Sequence, residues 1–354
     1  MATTRGIAAL SDQAHGRSTQ SKSLWALGWE RFRTKKLAMV SLLVILRFYV
    51  GGAIGPMFAP YGFREQNLDN SFQPGWLTQP FCAVTAMFEE GKTPPKIAPS
   101  PEHLLGTDRL GRDLFSRILW GMRTSVIVSI ATIITGSILL GVTLGVMTGY
   151  LRGRLDSVVM RVGEVFLAFP GLLLVILISA TIRPRVLAWA QSVPSIAGLV
   201  ESGLVDYVVV FGAMSVFSWV GVARLIRGQV LVQREMDYVT AAKALGARTS
   251  RIIVQHVIPN TLNIVIIILS GSLGGAIGSE LVLSWLGVGI QPPTPSLGVM
   301  IWENQSQSLL VDQFACRVAP VFLMPITIAS VVFFCFALMG DGLNDAFNPR
   351  TTRR

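Results

Sequence analysis

Arg234-Glu-Met-Asp-Tyr-Val-Thr-Ala-Ala-Lys-Ala-Leu-Gly-Ala-Arg-Thr-Ser-Arg-Ile-Ile-Val-Gln-His-Val-Ile-Pro-Asn260 is the longest polar interruption in the C-terminal half of a very apolar chain. Asp237 suits the N-cap of a short helix over Tyr238 to Leu245, and Gly246 can end that helix in the left-handed conformation. Thr249 or Ser250 can cap a second short helix, which Pro259 is expected to limit. The small residues Ala241, Ala242 and Ala244 would give a low, close-packing knob, flanked by Arg234, Lys243, Arg248 and Arg251. Such a knob is suited to docking into another protein.

The flanking sequence sets the class. Of 354 residues, 51% are hydrophobic and only 14% are charged, against roughly 25% charged in a soluble domain. Mean hydropathy is +0.55, so the expectation is an all-α polytopic membrane protein. The net charge of +10 does not mark a nucleic-acid partner, because the basic residues lie between apolar runs, at membrane edges. Cys82, Cys316 and Cys335 are too few for a disulfide scaffold or a zinc site. His15, His103 and His256 lie far apart in sequence, so no metal site is expected. The N-terminus lacks the pattern of a removable signal peptide. Residues 1–36 read instead as a polar, basic tail. Its segment Leu24 to Lys36 suits an interfacial helix with Trp25, Trp29 and Phe32 toward lipid.

A hydrocarbon core of about 30 Å needs about 20 residues of helix. Six spans are expected, near 37–58, 124–150, 158–181, 204–225, 260–283 and 318–339. They leave an outer loop at 59–123, a core at 124–340 that contains a loop at 226–260, and a C-terminal tail at 341–354. Lys and Arg number 19 on the side holding both tails and the 226–260 loop, and nine on the other side. Both termini and that loop are therefore expected on the cytoplasmic side of the membrane.

Several intramembrane residues stand out. Ser137, Gly141, Gly145 and Gly149 put a small residue every four positions on one face of span two, which lets another helix approach closely. Gly271, Ser272, Gly274, Gly275, Gly278 and Ser279 in span five fit either close helix packing or a backbone-lined translocation path. Pro170 inside span three invites a kink, with the same two readings. Arg47 lies roughly 16 Å of helix rise beyond Lys36, where an unpaired charge costs about 2.5–3.5 kcal/mol. It is expected to face a protein partner or an aqueous path. Glu280 is the other intramembrane charge of note, and for both residues a packing role is weighed against solute contact.

Catalytic patterns are missing. Ala86-Met-Phe-Glu-Glu-Gly-Lys-Thr93 fits a relaxed phosphate-loop pattern, but Pro94 and Pro95 block the helix it needs, and Glu89 and Glu90 would repel phosphate. No G-x-S-x-G, H-E-x-x-H or paired-cysteine motif occurs. Cys82 and Cys316 both fall on the outer side, where a disulfide could persist.

The segment Thr240-Ala-Ala-Lys-Ala-Leu-Gly246, followed by Pro259, resembles the EAA loop of ATP-binding-cassette importer permeases. Here Thr240 stands for the usual Glu, and His256 for the usual later Ile. Three further stretches are similar to the C-type permease subunit of the dipeptide/oligopeptide/nickel group. They are His103-Leu-Leu-Gly-Thr-Asp-Arg-Leu-Gly-Arg-Asp-Leu-Phe-Ser-Arg117, Leu283-Ser-Trp-Leu-Gly-Val-Gly-Ile-Gln-Pro-Pro-Thr-Pro-Ser296 and Gly340-Asp-Gly-Leu-Asn-Asp-Ala-Phe-Asn-Pro-Arg350. The resemblance implies the type I importer permease fold, a homologous second permease subunit and two ATPase subunits that bind ATP and Mg. It also implies an extracytoplasmic substrate-binding protein, and no cofactor in this chain. Asp237, Tyr238, Thr240, Ala241, Ala242, Leu245, Gly246 and Pro259 would then form the ATPase-coupling site of a non-catalytic subunit. The expected cargo is di- or oligopeptide, with nickel or another small solute as the alternative. A self-sufficient secondary transporter would instead call for paired intramembrane carboxylates or an inverted repeat. On this reading Ala242→Arg and Gly246→Val should both uncouple transport, for want of room.

Overall fold

The computed structural model describes residues 24–68, 102–194, 200, 203–308 and 315–347. Cys82 and the Ala86–Thr93 stretch lie outside these residues, and with Cys82 goes the expected bridge to Cys316. Every regular element among the described residues is helical. Helix α1 (Leu24–Thr34) leads into α2 (Lys36–Ile54). Next, α3 (Leu114–Thr132), a π-helical stretch (Ile133–Val142) and α4 (Thr143–Leu151) form one rod. It is followed by α5 (Gly153–Leu167), α6 (Gly171–Ser192) and α7 (Leu204–Arg234). The polar interruption holds α8 (Asp237–Ala244) and α9 (Thr249–Ile252). A second π-helical stretch (Ile253–Val257) joins α9 to α10 (Ile258–Trp285), and α11 (Leu297–Ser308) and α12 (Ala315–Phe347) complete the chain. Six of these stretches are long and apolar enough to cross a membrane: Lys36–Met57, Leu114–Leu151, Gly171–Ser192, Leu204–Arg234, Thr249–Trp285 and Val321–Phe347.

Helix α7 is the centre of the packing, and the rod lies along it with its glycines inward. A Cβ on Gly141 would stand 2.8 Å from Val222, and one on Gly149 would stand 2.8 Å from Val230. The first residue of this stripe is Gly136, facing Ser215 and Ser218, and not Ser137 as the four-residue spacing predicts. The π-helical stretch explains the shift. Its wider turn returns to the same face after five residues instead of four, so Gly136 and Gly141 align toward α7.

Three other expectations change. Span three does not run through Pro170. Helix α5 ends at Leu167, and Pro170, extended at φ −62° and ψ 110°, caps α6. Proline lacks the N–H a continuing helix would need, so the kink becomes a break. Pro259, by contrast, does not stop its helix. It falls in the first turn of α10, directly after the second π-helical stretch, where the missing donor is tolerated. Phe32 faces the protein and not lipid. It is buried against the last helix with Met339 and Ala346, while Trp29 stays half exposed. Lys35 is ion-paired with Asp345, so α1 and the end of α12 lie together.

The glycines of α10 divide between the two readings given for them. The rings of Phe336 and Phe333 on α12 press on Gly274 and Gly278, whereas Gly271 and Gly275 have nothing within 4 Å. One side of α10 packs and another is left open.

Candidate functional site

Helix α8 is held at both ends by backbone geometry. Its N-cap is Met236, extended at φ −73° and ψ 149° with no side-chain cap bond, and Asp237 sits in the first turn. Asp237 therefore acts as a negative charge near the helix N-terminus, where the macrodipole favours it, and not as the cap. At the other end Gly246 adopts φ 74°. The Gly246 N–H donates to Lys243 O at 2.9 Å, and the Ala247 N–H donates to Ala242 O at 3.1 Å. These two bonds form a Schellman closure. Nothing in the chain lies within 4 Å of a Cβ placed on Gly246, so its requirement for glycine comes from the positive φ and not from crowding. Gly246→Ala is expected to cost about 1–2 kcal/mol of local helix stability, read as faster amide exchange in α8 with the rest of the protein unchanged.

One face of α8 is anchored and the other is bare. Val239 is fully buried among Val146, Tyr150, Ile226 and Ile252, with Ala242 packed alongside. Tyr238, Thr240, Ala241 and Ala244 are exposed, and Leu245 is 89% exposed at the tip. Ala242 thus belongs to the anchor, so an arginine there would disturb the seat of the knob before it disturbed anything docked on it. Tyr238 donates to Gln233. Partial burial raises its phenol above the ordinary tyrosine value, opposed by a hydrogen bond with Asn260.

Tyr150, at the end of α4, is the residue the sequence reading missed. The Arg234 guanidinium and the Lys243 ammonium each lie 5.7 Å from its ring centre, a separation at which a cation is attracted to an aromatic face. Arg234 also donates to the Tyr150 carbonyl at 2.8 Å. Nearby, Arg227 pairs bidentately with Asp156 of α5 at 2.5 and 2.6 Å, and Arg152 reaches Glu235 at 3.0 Å. The knob is therefore wired to the ends of the rod, α5 and α7. An aromatic at the end of a predicted span, followed by Arg152 and Arg154, was the available signal.

At the other end of the bundle, four buried charges join the 103–117 stretch to α11. Asp108 accepts from Arg112 Nε at 2.7 Å and from Arg117 Nη1 at 2.6 Å. Glu303 accepts from the same two arginines at 2.9 and 2.6 Å. Two cations and two carboxylates balance. Beside them Asp113 caps α3 by accepting the Ser116 N–H at 2.7 Å, and it bonds His103 at 3.0 Å. On α6, Arg183 grips Asp206 of α7 at 2.7 and 3.3 Å.

Of the two intramembrane charges read from sequence, Glu280 is fully buried, with the Ser125 and Ser284 hydroxyls donating at 2.8 and 2.9 Å. It ties α3 to α10, a placement that fits a packing role. Arg47 is exposed on α2 beside the exposed Leu43, Leu46 and Val50. Among the described residues no cluster of metal-ligating side chains occurs.

Six long apolar helices packed through apolar clusters, with a capped knob left bare on the outside, define a polytopic membrane protein. The chain belongs to the family described as binding-protein-dependent transport system inner membrane component, whose model matches residues 141–353. The N-terminal transmembrane domain of oligopeptide transport permease C matches residues 23–74. The chain is 34% identical over 325 residues to the dipeptide transport system permease protein DppC of Bacillus subtilis, covering 92% of this chain and 85% of that protein. It is 31% identical over 343 residues to the oligopeptide transport system permease protein OppC of the same organism, with 97% and 95% covered. It is also 30% identical over 334 residues to the glutathione transport system permease protein GsiD of Pectobacterium atrosepticum, with 94% of each covered. The chain is accordingly a transport permease of the ATP-binding-cassette importer class and not an enzyme.

Proposed function

We propose that this chain is one of two homologous permease subunits of an ATP-driven importer of di- or oligopeptides, and that the knob at 237–246 seats in a groove on a separate ATPase subunit. The observation that carries this reading is Leu245, an apolar side chain 89% exposed at the tip of a helix whose opposite face is anchored by Val239. A rigid seat with a bare apolar tip fits a site that transmits force. In the proposed cycle, ATP and Mg bind on the two ATPase subunits, whose closure pushes α8. The push passes through Tyr150, Arg234 and Arg227 into the rod, α5 and α7. An extracytoplasmic binding protein delivers the solute, and both termini lie in the cytoplasm. The excess of Lys and Arg on that side and the contact of α1 with the end of α12 support this orientation. In this reading the second permease packs against α6, whose membrane-spanning stretch is only 11% buried, compared with 56% for α7. The peptide assignment draws on the names of the relatives, since dipeptides, oligopeptides and glutathione share amide bonds.

The test is Leu245→Asp. An exposed position tolerates the change in the folded chain within about 0.5 kcal/mol, whereas an interface anchor carries about 2 kcal/mol or more. The expected result is normal membrane insertion with ATPase affinity lowered about 30-fold and peptide uptake lost in proportion. Unchanged co-purification of the ATPases, with uptake intact, would remove the coupling role from α8.

A further inference from the structure

A cavity of about 370 Å³ lies inside the bundle, where the π-helical stretch, the first turns of α6, the middle of α7 and the open side of α10 meet. Its volume is in the range of small-molecule sites. Ser218, Ser272 and Ser279 put hydroxyls on the wall, the Thr132 and Ser137 hydroxyls lie buried just behind it, Val175, Met214 and Phe217 supply apolar surface, and no charged residue lines it.

Two of those hydroxyls are unusual. Thr132 and Ser137 are 2% and 0% exposed, and neither Oγ has a hydrogen-bond partner in the protein. Serines and threonines in apolar helices ordinarily return their hydroxyl to a carbonyl one turn back. In this bundle Thr135, Thr148, Ser270 and Ser272 do so. Thr132 and Ser137 do not; Thr132 directly precedes the π-helical stretch and Ser137 lies within it. Unmade buried hydrogen bonds are costly, so a conformation in which a polar solute reaches these groups gains bonds that this one lacks. A ligand shifts a conformational equilibrium only through such a differential interaction.

We infer that Thr132 and Ser137 form a solute subsite that takes neutral hydrogen-bonding groups, namely the main-chain amides of a peptide in transit. This rests on the importer reading given above. A wall with hydroxyls and no fixed charge matches an amide, which is polar and uncharged, and the apolar remainder accepts varied side chains.

The experiment uses the full importer in proteoliposomes, with its ATPases and binding protein. It compares ATP-driven uptake of a trialanine peptide with that of its depsipeptide, in which the central amide is an ester. The wild type should favour the amide. Ser137→Ala and Thr132→Val should each lower trialanine kcat/KM about fivefold, the factor carried by one net hydrogen bond, and should lower the amide-to-ester ratio below that of the wild type. Thr132→Ser, which keeps the hydroxyl, should restore the ratio. Because the binding protein is common to every arm, its own preference cancels in the comparison. A wild-type ratio retained in both hydroxyl-free variants would overturn the subsite while leaving the importer reading intact. A wild-type assembly that takes up neither compound with ATP would overturn both.

Discussion

Glu303→Ala is expected to cost about 3–5 kcal/mol, the penalty for breaking a buried ion pair by removing one partner. Arg112 and Arg117 would then share the single carboxylate of Asp108, leaving a net positive charge in a site where all four side chains are 7% exposed or less. Solvent screening gives little relief at that depth. The arrangement also supplies its own control. Arg117→Met with Glu303→Leu removes one charge of each sign and leaves Asp108 paired to Arg112 at 2.7 Å. That double variant should recover most of the loss, since apolar replacement of a whole buried pair is often neutral. The cycle is read by reversible unfolding of the purified permease, with ATP-driven uptake as the functional arm. A single-variant loss below about 1 kcal/mol, or a double variant no better than Glu303→Ala, would show that the network does not hold the 103–117 stretch to α11.

That network marks where sequence reading stopped. The stretch from His103 to Arg117 stood out, but the partner of its two arginines is Glu303, 191 and 186 residues further on. No periodicity connects such positions. Arg183 is another case. It was counted as an outer loop charge, yet it lies in α6 and pairs with Asp206 across the gap to α7. What the chain makes plain is what local physics decides. The six apolar runs are long enough to see, because a membrane-spanning helix must satisfy its backbone internally. The left-handed Gly246 was legible for the same reason, as few other residues adopt φ 74° without strain. Asp237 was placed as cap when Met236 holds that position. The two readings differ by one residue, the scale at which helix ends are ill-defined.

The π-helical stretches were the deeper omission, and both site readings turn on them. A four-residue count put Ser137 on the packing face. The five-residue turn puts Gly136 there, and the buried Ser137 hydroxyl has no partner. Likewise Pro259 reads as a stop only if the preceding helix is an ordinary one. With Ile253–Val257 in a wider turn, the chain passes from α9 into α10 without a break. The knob is therefore not an isolated loop. Its second helix, α9, is the start of a membrane span and runs as continuous helix toward Ser272 and Ser279.

Gly145→Val should interrupt the route from the knob through Tyr150 into the rod. A Cβ at Gly145 would lie 2.7 Å from the Ala223 carbonyl oxygen and 2.9 Å from Ile226 Cβ. The first contact is backbone and the second sits in the buried centre of α7, so neither yields cheaply. Overpacking of this kind costs about 1–3 kcal/mol, and more where the backbone must move. The branched side chain would drive the rod off α7 five residues before Tyr150, which is about 7.5 Å of helix rise. Displacing Tyr150 loosens its grip on Arg234 and Lys243 at 5.7 Å, so coupling should fail even in molecules that stay folded. The expected result is ATP hydrolysis continuing while uptake per ATP falls at least about tenfold. Gly228→Ala is the matched control, because a Cβ there meets nothing within 4 Å. It should change neither stability nor uptake. If Gly145→Val transports as well as Gly228→Ala, the close approach of the rod to α7 is not what carries motion from the knob to the bundle.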